Sequence, residues 1–417
     1  MKSTLLKNLG FLTLSQIANY LLPLVTIPYV TRIVGPENFG LIEFAQATVL
    51  YFTVIVNYGF NRTASRSIAI VSSDMKEVSA IFSSVMIAKA MLFFVSVIAY
   101  LILIFAAPDF TKHVYLLLVA FPIVLGWAIY PMFVFEGLQK LSVIAITDVS
   151  IKAASAILIL SLIKNQDQYF LVPLINGLMQ VVFAAASFYY ALKKIPGLRF
   201  HMLDRKAVFA QLKEGSFVFY SNFFNTVYNF GTVLIGAFFL SPIQLGIYAA
   251  AYKLIVVANS FLFKPLLGAF YPYLSAKLVK GFFYYSNAFK KGLYYLLIAS
   301  FLTFLITFLI PEFLLDLVFG HQYSDGAIAL RIMSPTLVLG AFIHMFLAQG
   351  MLHLKKDKSF MLLTISAGLL SIPLSLFLMA EYSINGAAWV RVIVDTYLAV
   401  ASGVLYYKSI KKYAIVH

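Results

Sequence analysis

Residues 85–107 read VMIAKAMLFFVSVIAYLILIFAA, an unbroken apolar run whose only charge is Lys89. A helix needs about 20 such residues to cross the hydrocarbon core of a bilayer. A helix with no polar face must be buried, in a large core or in lipid. Outward from this run, similar stretches recur at 9–31, 40–61, 113–135, 143–163, 169–192, 216–240, 246–273, 292–311, 327–350, 359–380 and 384–407. The whole chain is 62% hydrophobic and 11% charged, with a mean hydropathy of +0.92. A β-barrel would show short alternating segments instead. The sequence therefore predicts an all-α membrane protein of about twelve transmembrane helices. Met1, Lys2 and Lys7 ahead of the first run look like a signal peptide. That run is too long for a signal core and has no A-x-A-like exit, so it reads as a span.

Lysine and arginine set the orientation, because cytoplasmic loops are basic. With the N-terminus inside, only Arg32, Lys112 and Lys164 of the 31 basic residues fall in outer segments. Lys89, Lys152, Lys253, Lys264, Arg331 and Arg391 lie within spans, and the other 22 are inside. One missed helix would invert every later loop and destroy this bias. Both termini are expected in the cytoplasm of a multi-pass protein. The net charge of +15 follows from the same rule and does not imply a nucleic-acid partner.

The longest connection, 193–215, separates six spans from six. Pro36-Glu37-Asn38-Phe39-Gly40 after span one matches Pro242-Ile243-Gln244-Leu245-Gly246 after span seven, both P-x-x-(Phe/Leu)-G. Phe135-Glu136-Gly137-Leu138 and Ala348-Gln349-Gly350-Met351 form a second pair. Proline fixes φ and glycine opens the next helix, so a tight outer turn is expected at the first pair. The expected organisation is an N-terminal six-helix lobe (1–192), a basic cytoplasmic linker (193–215) and a C-terminal six-helix lobe (216–417). An even number of spans per half gives a parallel repeat, related by a pseudo-two-fold axis along the membrane normal.

With no cysteine there are no disulfides, thiolate metal sites or thiol nucleophiles. The six histidines show no metal spacing, and no glycine-rich phosphate loop precedes a lysine. No cofactor is expected, the chain is not expected to be an enzyme, and no ATP site is expected in it.

Asn19-Tyr20-Leu21-Leu22-Pro23-Leu24, Pro28-Tyr29 and Arg32-Ile33-Val34-Gly35-Pro36-Glu37-Asn38-Phe39-Gly40 carry a resemblance, with Gln46-Ala47-Thr48 and Asn57-Tyr58-Gly59-Phe60-Asn61. Tyr130-Pro131 through Gly137 and Asn385-Gly386-Ala387-Ala388 extend it. The chain resembles bacterial O-antigen flippases, the lipid-linked oligosaccharide exporters of the multidrug/oligosaccharidyl-lipid/polysaccharide superfamily. That resemblance implies two lobes in a V around a central cavity. It also implies an inner-membrane location and an undecaprenyl-diphosphate-linked sugar unit as substrate, moved to the periplasmic leaflet. Membrane lipids, an H+ or Na+ gradient and a polysaccharide polymerase are the other expected partners.

Charge inside a bilayer costs at least about 2.5–3.5 kcal/mol per residue, which makes intramembrane ions functional candidates. Arg32, Lys152, Lys253, Arg331 and Arg391 are the expected cavity cations for a diphosphate, arginine being able to grip phosphate through two parallel bonds. Arg62 and Arg66 would guide headgroups, as would Lys89 and Lys264, whose amines can snorkel to the interface. Glu43, Asp148 and Asp395 are candidates for coupling or gating. Two of these pairs, Asp148 with Lys152 and Arg391 with Asp395, are four residues apart and can instead neutralise each other. Gln16, Asn19, Gln46, Asn57, Asn222, Asn225 and Asn229 mark a polar cleft or interhelical hydrogen bonds. A drug/cation antiporter of the same superfamily would favour acidic cavity residues. A polymerase or ligase would need a sizeable outer loop, and the outer loops here are short.

Overall fold

A computed structural model of the protein describes residues 2–201, 204–354 and 356–416. The side chains of 2–20, 264, 265, 267, 269, 357 and 412–416 lie outside that description, those of Gln16, Asn19 and the expected headgroup guide Lys264 among them. Helices follow one another along the chain, and no strand occurs among the described residues. Among the described residues, nine segments are long and apolar enough to cross a membrane. Two of these, Leu21–Ile70 and Lys358–Lys411, are each more than twice the length one crossing needs. The chain divides into two compact units, Met1–Phe223 and Phe224–His417.

In the first unit, α1 (Lys2–Asn57) is broken only at Gly35, whose φ of 76° is left-handed. Glycine adopts that conformation without steric cost. Pro36 then restarts the helix where its missing N–H is not needed. Gly40, expected to open the second helix, is instead buried one turn inside it. The matching turn uses a different device, with Ser241 and Gln244 forming a reciprocal capping box ahead of Pro242. What the two turns share is a proline at the helix start and a buried apolar side chain three residues on, Phe39 or Leu245.

Short α2 (Phe60–Ile70) precedes α3 (Met75–Ala106), capped by the Asp74 carboxylate on the Lys76 and Glu77 amides. After α4 (Pro108–Thr111), expected span four forms as three pieces, α5 (Val114–Ala120), α6 (Pro122–Ile129) and α7 (Met132–Gly137). Then come α8 (Leu141–Leu162), a 3-10 turn and α9 (Leu171–Lys194). Phe60, Phe82, Val85, Tyr130, Phe133 and Phe135 centre a core that also takes in Ile195, Leu198 and Val208. The segment 193–215 is therefore not a free linker. Ile195, Leu198 and Val208 are buried while Phe200 and Phe209 stay exposed, and its backbone is tied to α3 by Arg199 N–H on Ser79 Oγ (3.0 Å) and His201 N–H on Ser83 Oγ (2.9 Å). Helix α10 (Arg205–Gly236) starts within that segment, and the division between the units falls inside it.

Lys89 corrects an expectation. It does not snorkel, because α3 begins at Met75 and places Lys89 about 21 Å along the helix. Its side chain is 1% exposed, and its amine donates to the Tyr130 carbonyl oxygen at 2.8 Å. The chain leaves helical geometry at Tyr130, before Pro131, so Lys89 satisfies a carbonyl at the α6–α7 break. Replacing it with methionine is expected to lower stability by about 1–3 kcal/mol, the cost of leaving a buried carbonyl unpaired. A thermal midpoint in detergent equal to wild type would contradict that role.

The second unit holds the end of α10, then α11 (Pro242–Lys280), α12 (Phe282–Leu309) and α13 (Pro311–Phe319). After a 3-10 turn follow α14 (Ala327–Met333), α15 (Thr336–Phe342), a π-helical stretch Ile343–Met351 and α16 (Asp357–Val416). Phe289 and Tyr406 stack at 4.6 Å in its core, against Phe346. Helix α16 breaks at Ser383, φ 51° and ψ −129°, and returns past itself. Gly386 then lies against the Leu378 carbonyl, and Ala387 and Ala388 are fully buried.

Candidate functional site

The polar centre of the second unit is built from four helical segments. Alpha-10 supplies Asn225, Tyr228 and Asn229 on one face, at the i, i+3 and i+4 spacing that aligns helix neighbours. Tyr252 and Asn259 come from α11, His344 from the π-helical stretch, and Arg391 and Asp395 from α16. They surround a cavity of about 380 Å³, within the usual size of small-molecule sites.

Arg391 and Asp395 form an ion pair at 3.2 Å, with side chains only 12% and 3% exposed. Arg391 Nη1 also donates to Asn229 Oδ1 at 3.3 Å and to the Tyr252 hydroxyl at 3.2 Å. The guanidinium lies 4.2 Å from the Tyr228 ring centre, a favourable cation–π distance in a desolvated site. The Tyr228 hydroxyl donates to the other Asp395 oxygen, and the Tyr252 hydroxyl donates to the Asn229 carbonyl at 3.0 Å. Asn229 Nδ2 donates to the Asn225 carbonyl at 2.8 Å. Each charge is thus matched by an opposite charge and by neutral hydrogen-bonding groups, which is the condition for burying ions.

The other expected site residues lie elsewhere. Arg331 does not line the cavity; it is exposed, with Nε on the Phe308 carbonyl at 3.1 Å. Phe308 is in the last turn of α12, where carbonyls lack intrahelical partners and attract cations. Lys253 is half-buried and outside the cavity lining, although it follows Tyr252 in sequence. In the first unit Asp148 and Lys152 are half-buried on α8, and the Lys152 charge acts on Asp148. Glu43 is half-buried, and Arg32, Arg62 and Arg66 are exposed. No group of three or more His, Asp or Glu fit to hold a metal occurs among the described residues.

Sequence reasoning missed Tyr228, Tyr252, Asn259 and His344. The asparagines of span seven signalled the polar face of α10. The tyrosines carry no such signal, being two of 26, and neither does His344, one histidine of six with no metal-ligand spacing.

This helical architecture is that of a multi-pass membrane protein. The fold is similar to the inward-facing conformation of a multidrug resistance MATE family transporter of the MOP superfamily (TM-score 0.70, 14% identity, 98% of each chain). It is also similar to the lipid II flippase MurJ in an inward closed conformation (TM-score 0.74, 12% identity, 94% of this chain and 86% of that one). The chain belongs to the polysaccharide biosynthesis protein family, whose profile matches residues 5–277. Among its relatives, a protein of Escherichia coli (strain K12) is 31% identical over 93% of both chains. Another, of Shigella dysenteriae, is 26% identical over 76% of this chain and 78% of its own; both bear the name "Putative O-antigen transporter".

Proposed function

We propose that the protein is a flippase for a lipid-linked oligosaccharide of surface polysaccharide assembly, moving an undecaprenyl-diphosphate-linked repeat unit from the cytoplasmic to the periplasmic leaflet by alternating access. The observation that carries this reading is the relative 31% identical over 93% of both chains and named for O-antigen transport. The similar fold of a lipid II flippase supports it. On this reading both termini are cytoplasmic, α1 and α16 each cross twice at their kinks, and α10 is the span that brings the count to twelve. The protein sits in a bacterial inner membrane, coupled to an ion gradient or to a polymerase that consumes the delivered unit. A drug antiporter is less well supported, since the cavity charges, Arg391 and Asp395, cancel and leave no free carboxylate among the described lining residues for a cationic drug.

Deleting the gene is expected to abolish surface polysaccharide and to leave lipid-linked oligosaccharide on the cytoplasmic face, both restored by the wild-type gene. Normal distribution of that intermediate between the two faces in the deletion strain would overturn the proposal.

A further inference from the structure

The cavity of the second unit raises a question of ligand class. An anion would enter through Arg391, among the described residues the only basic side chain lining the cavity apart from His344. Yet Arg391 Nε is committed to Asp395 and Nη1 to Asn229 and Tyr252. One face of the guanidinium is covered by Tyr228 at 4.2 Å. Phosphate recognition by arginine relies on two parallel N–H groups, and here the Nε donor is already taken. A diphosphate would also approach the Asp395 carboxylate, and like charges repel strongly where water is scarce.

The other polar groups of the lining are neutral amides and hydroxyls, from Asn225, Asn229, Asn259, Ser260, Thr336 and Thr364. Asn259 Oδ1 is buried with no hydrogen-bond partner, an acceptor that costs free energy until a donor reaches it. The apolar part of the wall includes Phe263, whose ring lies 4.5 Å from that of His344. Amides, hydroxyls and ring faces around a neutralised ion pair suit a ligand rich in hydroxyls with an apolar ring face. We infer that this cavity binds a neutral sugar ring of the transported oligosaccharide, with Asn259 accepting from a ring hydroxyl, and that the diphosphate is held elsewhere.

The inference rests on the flippase reading for the source of the sugar, and its test is separate. The full-length wild-type protein, purified in detergent, is titrated with the oligosaccharide released from the strain's own lipid-linked pool and stripped of phosphate. Inorganic pyrophosphate is titrated in parallel, with Trp389 fluorescence and calorimetry as readouts. The sugar is expected to bind, pyrophosphate in tenfold excess not to displace it, and Asn259→Leu to weaken it at least tenfold. Asn259→Gln should retain part of the affinity, and both variants should elute as wild type does on size exclusion. Displacement by pyrophosphate, absence of sugar binding, or unchanged affinity in Asn259→Leu would each overturn the assignment. Sugar binding by a protein whose deletion leaves the lipid-linked intermediate normally distributed would sink the flippase reading and leave the cavity's ligand class standing.

Discussion

Gly386→Ala is expected to remove most of the correctly folded protein from the membrane. The return of α16 after Ser383 brings Gly386 against the backbone of Leu378, and a methyl group there would collide with the Leu378 carbonyl, with the Met379 nitrogen 3.0 Å away. Backbone atoms in a packed turn cannot rotate aside as a side-chain tip can. Overpacking usually costs about 1–3 kcal/mol, and a collision with main chain belongs at or above the top of that range. Fluorescence-detected size exclusion after solubilisation reads the effect as a several-fold loss of the monodisperse peak. Gly268→Ala on α11 is the control, since a methyl group there meets nothing within 4 Å. Removing a helix-interior glycine at an open position should be neutral or slightly stabilising. If the two variants give equal peaks, the tight return of α16 is wrong.

The same stretch shows what the sequence could and could not tell. Asn385-Gly386-Ala387-Ala388 stood out as a motif, and small residues mark close helix approach in membranes. Nothing in the motif said that the approach is of α16 to itself. Apolar runs made the helices legible because bilayer thickness imposes a length on each. The pieces of expected span four were not legible, since a break at Tyr130-Pro131 needs a donor from a distant helix, and Lys89 supplies it. The snorkelling expected of a lysine near the end of an apolar run fails when the helix extends ten residues further than hydropathy indicates, as α3 does by starting at Met75. Arg391 and Asp395 were legible as a pair from their spacing of four, and the structure brings them together. That the pair is also held by Tyr228, Tyr252 and Asn229 depends on three helices meeting, which no local pattern encodes.

The second large effect concerns that pair. Arg391→Leu and Asp395→Leu are each expected to cost about 3–5 kcal/mol, the usual penalty for leaving one buried charge without its partner. The double variant should cost clearly less than the sum of the two, because it removes both charges together. It should not be neutral, since the Tyr228 hydroxyl, the Tyr252 hydroxyl and the Asn229 side chain were arranged around those charges. Each loses a partner, at about 1 kcal/mol or more where water cannot replace it. Arg391→Lys should fall between wild type and Arg391→Leu: an ammonium keeps the charge but cannot reach Asp395, Asn229 and Tyr252 from one planar group. Thermal midpoints of the four purified proteins measure the cycle. Costs that add to within about 0.5 kcal/mol would mean that the two residues act independently, and the neutralised wall assigned to the cavity would then have no basis.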